Sequence, residues 1–445
     1  MEQTLSLAAI GLFGFIGLFF YKRSHPLFQL IPFALCAGIA ILLVGQVVPL
    51  IENNTQAHWS WIPGIFINVV FATLFLGKKL MSPRKIWSFA GPQIVFGQTI
   101  AWGQYVVGAI LTMLVLVPLF HFSPLAAALI EISFEGGHGT AAGLGDLFVE
   151  LDFAEGADLA LGLATVGIVV GLLSGLFMTA IYRRKHPLPK RKKLRDLRAP
   201  LYEALRHYFV DTHSQYFARH RIARTFLQFA LIGAAIGVGW LIKEGMLLAE
   251  VAILGPFTDL EFVRFIPLFP LAMIGGIVVQ FILSIFRLEK LLHLKTIAFT
   301  GALALELVIV AAIATMSLTT ISDNLVPFIL LAVAGIVWNL LAFLYFAPRL
   351  FHQYWFERGI GNYGQSMGMT ATGLLLMKTA DPSNRSHALE RFGYKQLLFE
   401  PIVGGGIFTA LSMLIIFQLG LGALLAISGG VLLFWLLIGL IMFRK

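Results

Sequence analysis

Two short stretches of this 445-residue chain set glycines beside hydroxyl, amide and imidazole side chains inside otherwise apolar sequence. The first runs Glu135-Gly136-Gly137-His138-Gly139-Thr140-Ala141-Ala142-Gly143. The second runs Gly361-Asn362-Tyr363-Gly364-Gln365-Ser366-Met367-Gly368-Met369-Thr370-Ala371-Thr372-Gly373. Glycine lets a backbone leave the helix and bring bare N–H and C=O groups to a ligand, while Ser and Thr hydroxyls complete a coordination shell. N–H groups freed at helix N-termini suit carboxylates, and freed carbonyls suit Na⁺. The candidate substrate-binding residues are therefore Gly136, Gly137, His138, Gly139, Thr140, Gly364, Gln365, Ser366, Gly368 and Thr370. The candidate Na⁺ ligands are Thr140, Ser366 and Thr372. Small residues also allow close helix packing, and that reading is preferred for isolated pairs such as Gly171 and Gly175. His138 has no second His or Cys at ligand spacing, so it is read as a hydrogen-bonding or substrate-orienting group. No metal other than Na⁺ and no organic cofactor is expected.

Such loops need rigid elements around them, and composition says what those are. Hydrophobic residues make up 58% of the chain and charged residues 12%, against roughly 25% charged in soluble domains, so water cannot be its solvent. Long apolar runs follow one another from Thr4 to Phe443. Each is near the length of about 20 residues that a helix needs to cross a bilayer, and their continuity excludes a β-barrel. Cys36 is the sole cysteine, so there is no disulfide framework or thiolate site. Glu2 and Gln3 precede the first apolar run in place of lysines, which argues for a retained helix over Thr4–Tyr21 and against a signal peptide.

Charge orients the spans. Between Arg183 and Arg224 thirteen Lys or Arg face only three acidic residues, a net +10 that exceeds the +9 of the whole chain. Positive charge beside membrane helices marks the cytoplasmic side, and no nucleic-acid partner is expected. Within that segment Pro200–Arg221 fits an amphipathic helix on anionic headgroups. Expected spans are Leu27–Leu50, Ile62–Leu76, Trp87–Phe120, Leu159–Tyr182, Phe226–Ile242, Phe265–Phe286, Thr296–Met316, Val326–Phe346, Leu397–Phe417 and Leu421–Phe443. Counting Leu125–Leu144 or Gly359–Met377 as a further span would put cationic segments on the wrong face, Arg183–Arg224 in the first case and Lys378, Arg385, Arg391 and Lys395 in the second. Each is therefore expected to dip in and return, from opposite sides.

The expected fold is all-α, with about 11 membrane helices. It divides into a first repeat over 1–182 (dip 125–144), a basic cytoplasmic loop 183–224, an inverted second repeat 225–420 (dip 359–377) and an extra helix 421–445. The N-terminus would lie outside and the C-terminus inside. Inverted repeats with interrupted helices near the midplane are the architecture of alternating-access carriers.

The run Gly136-Gly137-His138-Gly139-Thr140 resembles the GGHGTG signature of the sodium:glutamate symporter family. Gly364-Gln365-Ser366-Met367-Gly368-Met369-Thr370-Ala371-Thr372 resembles its second glycine-rich loop, which commonly reads GFGLGATPT. Pro63–Lys79 resembles the family's third helix, and Glu390-Arg391-Phe392-Gly393 with Pro401 and Gly404 resembles the approach to its tenth. The resemblance implies Na⁺-coupled uptake of glutamate or a related small organic anion, a homodimer, a substrate domain moving against a scaffold, and a place in the bacterial inner membrane. Glu135 stands where the family has serine, Ala141 replaces its last glycine, Ser366 a glycine and Ala371 a proline.

Other polar residues are open to two accounts. Glu135 and Glu306 are candidate proton or coupling sites, because a carboxylate inside a span is costly and often functional. Glu135, if ionised, would repel an acidic substrate, so it is protonated, paired with a cation or aimed away. Glu306 could equally be a packed, protonated side chain. Gln93, Gln98, Gln104 and Asn339 are read as helix-joining amides. Glu131 is read as facing an external vestibule, and Glu400 as complementing the dipole at a helix start before Pro401. A channel would use similar opposed loops, but no carbonyl-filter repeat is present. An intramembrane enzyme is disfavoured by the lack of HExxH, GxSxG or a GxGD-type aspartate pair.

Overall fold

The apolar runs fold as helices, and no strand occurs among the described residues. The computed structural model describes residues 32–47, 58–78, 82–186, 221–253 and 262–443. The expected first helix Thr4–Tyr21, most of the basic segment with its Pro200–Arg221 surface helix, and Arg444 and Lys445 lie outside the described residues. In chain order the helices begin with α1 (Phe33–Val47), α2 (Trp61–Thr73) and α3 (Pro83–Leu111), which continues through a π turn to Phe120. There follow a 3₁₀ turn (Pro124–Ala128), α4 (Leu129–Phe134), α5 (Gly137–Gly143), α6 (Gly145–Glu150) and α7 (Glu155–Lys185). The next group is α8 (Arg221–Ile253), α9 (Leu268–Ile285), α10 (Leu294–Ala314), α11 (Leu318–Asp323) and α12 (Leu325–Leu350). The last is α13 (Trp355–Gln365), α14 (Thr370–Ala380), α15 (Ala388–Phe399), α16 (Ile407–Leu419) and α17 (Leu421–Ile438). Seven of these are long and apolar enough to cross a bilayer: α3 with its extension, α7, α8, α9, α10, α12 and α17. Shorter apolar helices include α1, α2, the 124–134 segment and α16.

Helix α7 is the axis on which the glycine-rich elements hang. Its first turn carries Glu155 and Asp158 and its last Arg183, Arg184 and Lys185, complementing the dipole at both ends. Its 31 residues span about 46 Å, more than a hydrocarbon core. The first glycine-rich element starts and finishes beside the α7 N-terminus. The Phe122 and Phe153 rings, one on each side of it, lie 5.8 Å apart, and Phe153 packs on Gly156. The second element has its feet at the other end. Arg183 donates to the Glu357 carboxylate in the first turn of α13 at 2.7 Å and also to the Ala380 carbonyl at the end of α14. Arms α13 and α14 fold back on each other with Gly364 against Gly373. The two tips reach each other mid-way along α7, where Gly167 and Gly171 leave room for Phe134 and Met367.

The helices sort into two packed bodies. Helices α1, α2, α8, α9 and α10 pack on one another, with a small separate core that includes Ala72, Leu76, Ile232, Ala235, Ala272 and Val279. Gly239 and Gly275 let α8 and α9 touch backbone to backbone. The other body gathers α3, α4, α7 and α12–α17 around the hairpins. Arm α5 of the first hairpin lies on the seam, packed against α2 and α10.

Two expectations about the C-terminal third are corrected. Leu397–Phe417 is not one span: α15 ends at Phe399 and α16 begins at Ile407. Pro401 lacks an N–H, and Gly404 and Gly405 adopt φ of 72° and 95°, so no helix continues through them. Lys395, counted among the cytoplasmic-face cations, is instead 1% exposed inside the protein. Hydropathy windows register its charge but not its direction.

Candidate functional site

The tips of the two hairpins are the only place where both glycine-rich motifs meet among the described residues. Gly137, with φ 72°, lies directly against the Gly368 carbonyl, so that a β-carbon would strike it. This is a backbone-to-backbone contact between the two halves of the sequence. Gly137→Ala is expected to abolish transport and lower thermal stability. It combines a left-handed backbone cost of roughly 1–2 kcal/mol with a collision against main chain. Gly145→Ala, where a β-carbon meets nothing, should be tolerated. Equal uptake by the two variants would show that tip contact is dispensable.

The remaining motif residues divide by what they touch. His138 Nε2 shares a 2.9 Å hydrogen bond with the Thr165 hydroxyl of α7, while its Nδ1 is buried without a partner. Thr140 donates to the Gly136 carbonyl at 3.0 Å and lies beside Gly405. Gly139 faces Ile67 and Leu305 across the seam. Gln365 accepts from Lys395 Nζ at 2.7 Å. The Ser366 carbonyl accepts from Gln104 at 2.9 Å and from Asn339 at 2.7 Å, so amides of α3 and α12 hold this tip. Thr370 accepts from Gln396 Nε2 at 3.2 Å. Thr372 is buried in the first turn of α14, and Gly136 precedes α5 as its cap.

The helix-joining role of the buried amides holds for Gln104 and Asn339, and for Gln93, which donates to the Arg358 carbonyl at 2.8 Å. Gln98 instead accepts from Trp102 one turn on in its own helix. Glu306 lies on an exposed face of α10; its neighbour Leu305 is what α10 presents to the hairpin.

Two carboxylates sit elsewhere than expected. Glu131 is fully buried, not in a vestibule. Its Oε2 accepts from the Tyr105 hydroxyl at 2.5 Å, and its Oε1 accepts from the Gly404 N–H at 2.8 Å and the Thr409 hydroxyl at 3.0 Å. The physical reason is that the 124–134 arm is enclosed by α3, α7 and α16. Glu400 is not at a helix start but at the C-terminal cap of α15, because the chain turns at Pro401 before α16 begins.

Lys395 is a buried cation at the second tip that its place in the sequence did not reveal. Its ammonium donates to Asn362 Oδ1 at 3.2 Å and Gln365 Oε1 at 2.7 Å, and rests 3.6 Å from the centre of the Phe399 ring. A signal existed for Glu131 and Glu135: carboxylates four apart in an apolar run share one helix face.

At the seam a cavity of about 250 Å³ opens between the two bodies, lined by Ile67, Asn68, Gly143, Asp146, Lys243 and Phe269 among others.

Opposed interrupted helices meeting inside a bundle of membrane-length helices are the architecture of integral membrane transport proteins. The chain matches the model of the sodium/glutamate symporter family over residues 1–380 and belongs to that family. Its general activity is thus sodium-coupled glutamate transport, in a multi-pass membrane protein of a family of transporters rather than enzymes. A comparison with curated proteins found no match.

Proposed function

We propose that the protein takes up glutamate or a related small organic anion with Na⁺ by alternating access, and that the hairpin tips hold the substrate and the ions. The observation that carries this reading is the contact of Gly137 with the Gly368 carbonyl, reached by hairpins whose feet lie at opposite ends of α7. Backbone leaves the helix there from both directions, which suits a ligand that must be released first to one side and then to the other. In this reading Thr140, Ser366 and Thr372 supply hydroxyl oxygens to Na⁺, and Gly136, Gly137, His138, Gly139, Gly364, Gln365, Gly368 and Thr370 surround the substrate.

The body of α3, α4, α7 and α12–α17 is the moving part, and α1, α2 and α8–α10 are its scaffold. The cavity between Gly143 and Phe269 is then an access path along their seam. The chain is assigned two inverted repeats with an added last helix, as a homodimer in the bacterial cytoplasmic membrane. Its N-terminus lies outside, and its basic loop and C-terminus lie inside.

The test is reconstitution in liposomes with an imposed inward Na⁺ gradient and a panel of labelled anions. Glutamate or one of its relatives should accumulate above equilibrium, and a Na⁺ ionophore should abolish the accumulation. Anion entry that never exceeds equilibration under any gradient would identify a channel and overturn the reading.

A further inference from the structure

Beside the hairpin tips the negative ends of two helices converge, and each carries an extra negative charge. Glu135 is the C-terminal cap of α4 and Glu400 that of α15. The carbonyls of a last helical turn repel a carboxylate, so both acids sit at the end where a cation belongs. Glu135 lies against the turn after α15: its Cγ is 3.5 Å from the point a β-carbon of Gly404 would occupy. Glu400 and Lys395 are both within its electrostatic reach.

Four acceptor atoms of this cluster have no donor. Glu135 is 3% exposed, Gln396 3% and Glu400 8%. Yet Glu135 Oε1 and Oε2, Glu400 Oε2 and Gln396 Oε1 are buried without a hydrogen bond. Ser366 is the hydroxyl facing Glu135, but it does not reach hydrogen-bond geometry. Lys395 does not satisfy these oxygens, since its ammonium donates to Asn362 and Gln365 on α13. The Gln396 amide is turned with its NH₂ toward Glu400 Oε1 at 2.8 Å and Thr370, leaving its carbonyl oxygen over. Glu135, Glu400 and Lys395 make a net charge of −1 when all are ionised; Glu131 also lies within reach of Glu135, but both its oxygens already accept from Tyr105, Gly404 and Thr409. Orphaned acceptors of this kind are costly in a dry interior and ask for a missing partner.

We infer that Glu135, Glu400 and the amide oxygen of Gln396 form a seat for one monovalent alkali cation, Na⁺, next to the fixed ammonium of Lys395. One positive charge neutralises Glu135, Glu400 and Lys395 taken together, whereas a divalent ion would leave these three at +1. A proton would also neutralise them, but a single O–H can satisfy only one of the other orphaned oxygens, while a hard cation takes several at once. The inference deepens the proposed Na⁺ coupling and rests on that reading only for the use made of the ion. It adds oxygens beyond the Thr140, Ser366 and Thr372 hydroxyls, of which Ser366 faces Glu135, and it gives a role to Glu135, which stands where the resembled family has serine.

The test is equilibrium binding of radioactive ²²Na⁺ to the purified full-length protein in lipid nanodiscs, without organic substrate. The wild type should bind Na⁺ with little competition from K⁺. Glu400→Gln and Glu135→Gln should each lose one bound Na⁺ per chain or bind it at least tenfold more weakly. If either variant does not fold, Gln396→Met, which keeps the shape and removes the amide oxygen, should show the same loss. Unchanged ²²Na⁺ binding in the folded variants would overturn the site. So would a wild type that binds no Na⁺ at neutral pH and gains it only as the pH is raised far enough to remove a proton from the cluster, because a proton alone then occupies it. Failure of the transport reading looks different. Anion uptake indifferent to Na⁺, with ²²Na⁺ binding still lost in Glu400→Gln, would leave the seat standing and remove the proposed coupling.

Discussion

Glu131→Ala is expected to destabilise the protein by at least about 3 kcal/mol, because it orphans three buried donors at once and each costs roughly 1–3 kcal/mol. The donors come from three places: the Tyr105 hydroxyl on α3, the Gly404 N–H in the turn after α15, and the Thr409 hydroxyl on α16. One carboxylate on the first hairpin thus fastens the arm to α3 beside it and to the turn between α15 and α16 with the start of α16. Glu131→Gln should be far milder, near 1 kcal/mol, since the amide oxygen can keep the Gly404 and Thr409 bonds while the tyrosine hydroxyl turns to accept from the NH₂. Tyr105→Phe should fall between, losing one bond and leaving Oε2 unpaired. Thermal unfolding of detergent-purified variants, followed by the loss of the monodisperse species, gives the order Ala, Phe, Gln from most to least damaging. An alanine variant melting with the wild type would mean that the carboxylate fastens nothing.

The membrane class and the two interruptions were legible because each follows from a summed property. Apolar runs of span length leave no choice of solvent, and the expectation that the cationic segments 183–224 and 378–395 share one face is what called for the two interruptions. That arithmetic located breaks over Leu125–Leu144 and Gly359–Met377, and the structure has them at 135–136 and 366–369. Direction was not legible. A window average scores Glu131 the same whether it faces water or Tyr105, and it counts Lys395 as a surface cation although the side chain turns inward. Leu397–Phe417 reads as one apolar run because Pro401 and three glycines after it barely lower the mean, while their backbone ends the helix. Glu400 was misplaced for the same reason: without the break, it looks like the start of a helix and not the end of one. Partners distant in sequence, such as Gln104 with Ser366 or Lys395 with Asn362, carry no periodic signal.

The buried lysine gives the sharpest energetic test of the tip cluster. Lys395→Met removes an ammonium from the oxygens of Asn362 and Gln365 and leaves Glu135 and Glu400 without the side-chain cation in whose field they lie. Breaking one side of a buried charged group typically costs about 3–5 kcal/mol, mostly as the penalty of the charge left behind. That origin of the cost makes it reversible by a second change. In Lys395→Met with Glu135→Gln, one of the stranded carboxylates is gone, so the double variant should be more stable than Lys395→Met alone by about 1–3 kcal/mol, the usual coupling between residues in contact networks. Glu400→Gln should rescue in the same way, because Glu400 also lies in the field of the ammonium. Lys395→Arg should not substitute, since the Phe399 ring and the Gly97 backbone of α3 close around the lysine stem and a planar guanidinium needs more width. The cycle is read from unfolding free energies of the four proteins at one Na⁺ concentration. Costs that simply add would mean that Lys395 and Glu135 do not sense each other, and that the lysine is held by its two amides alone.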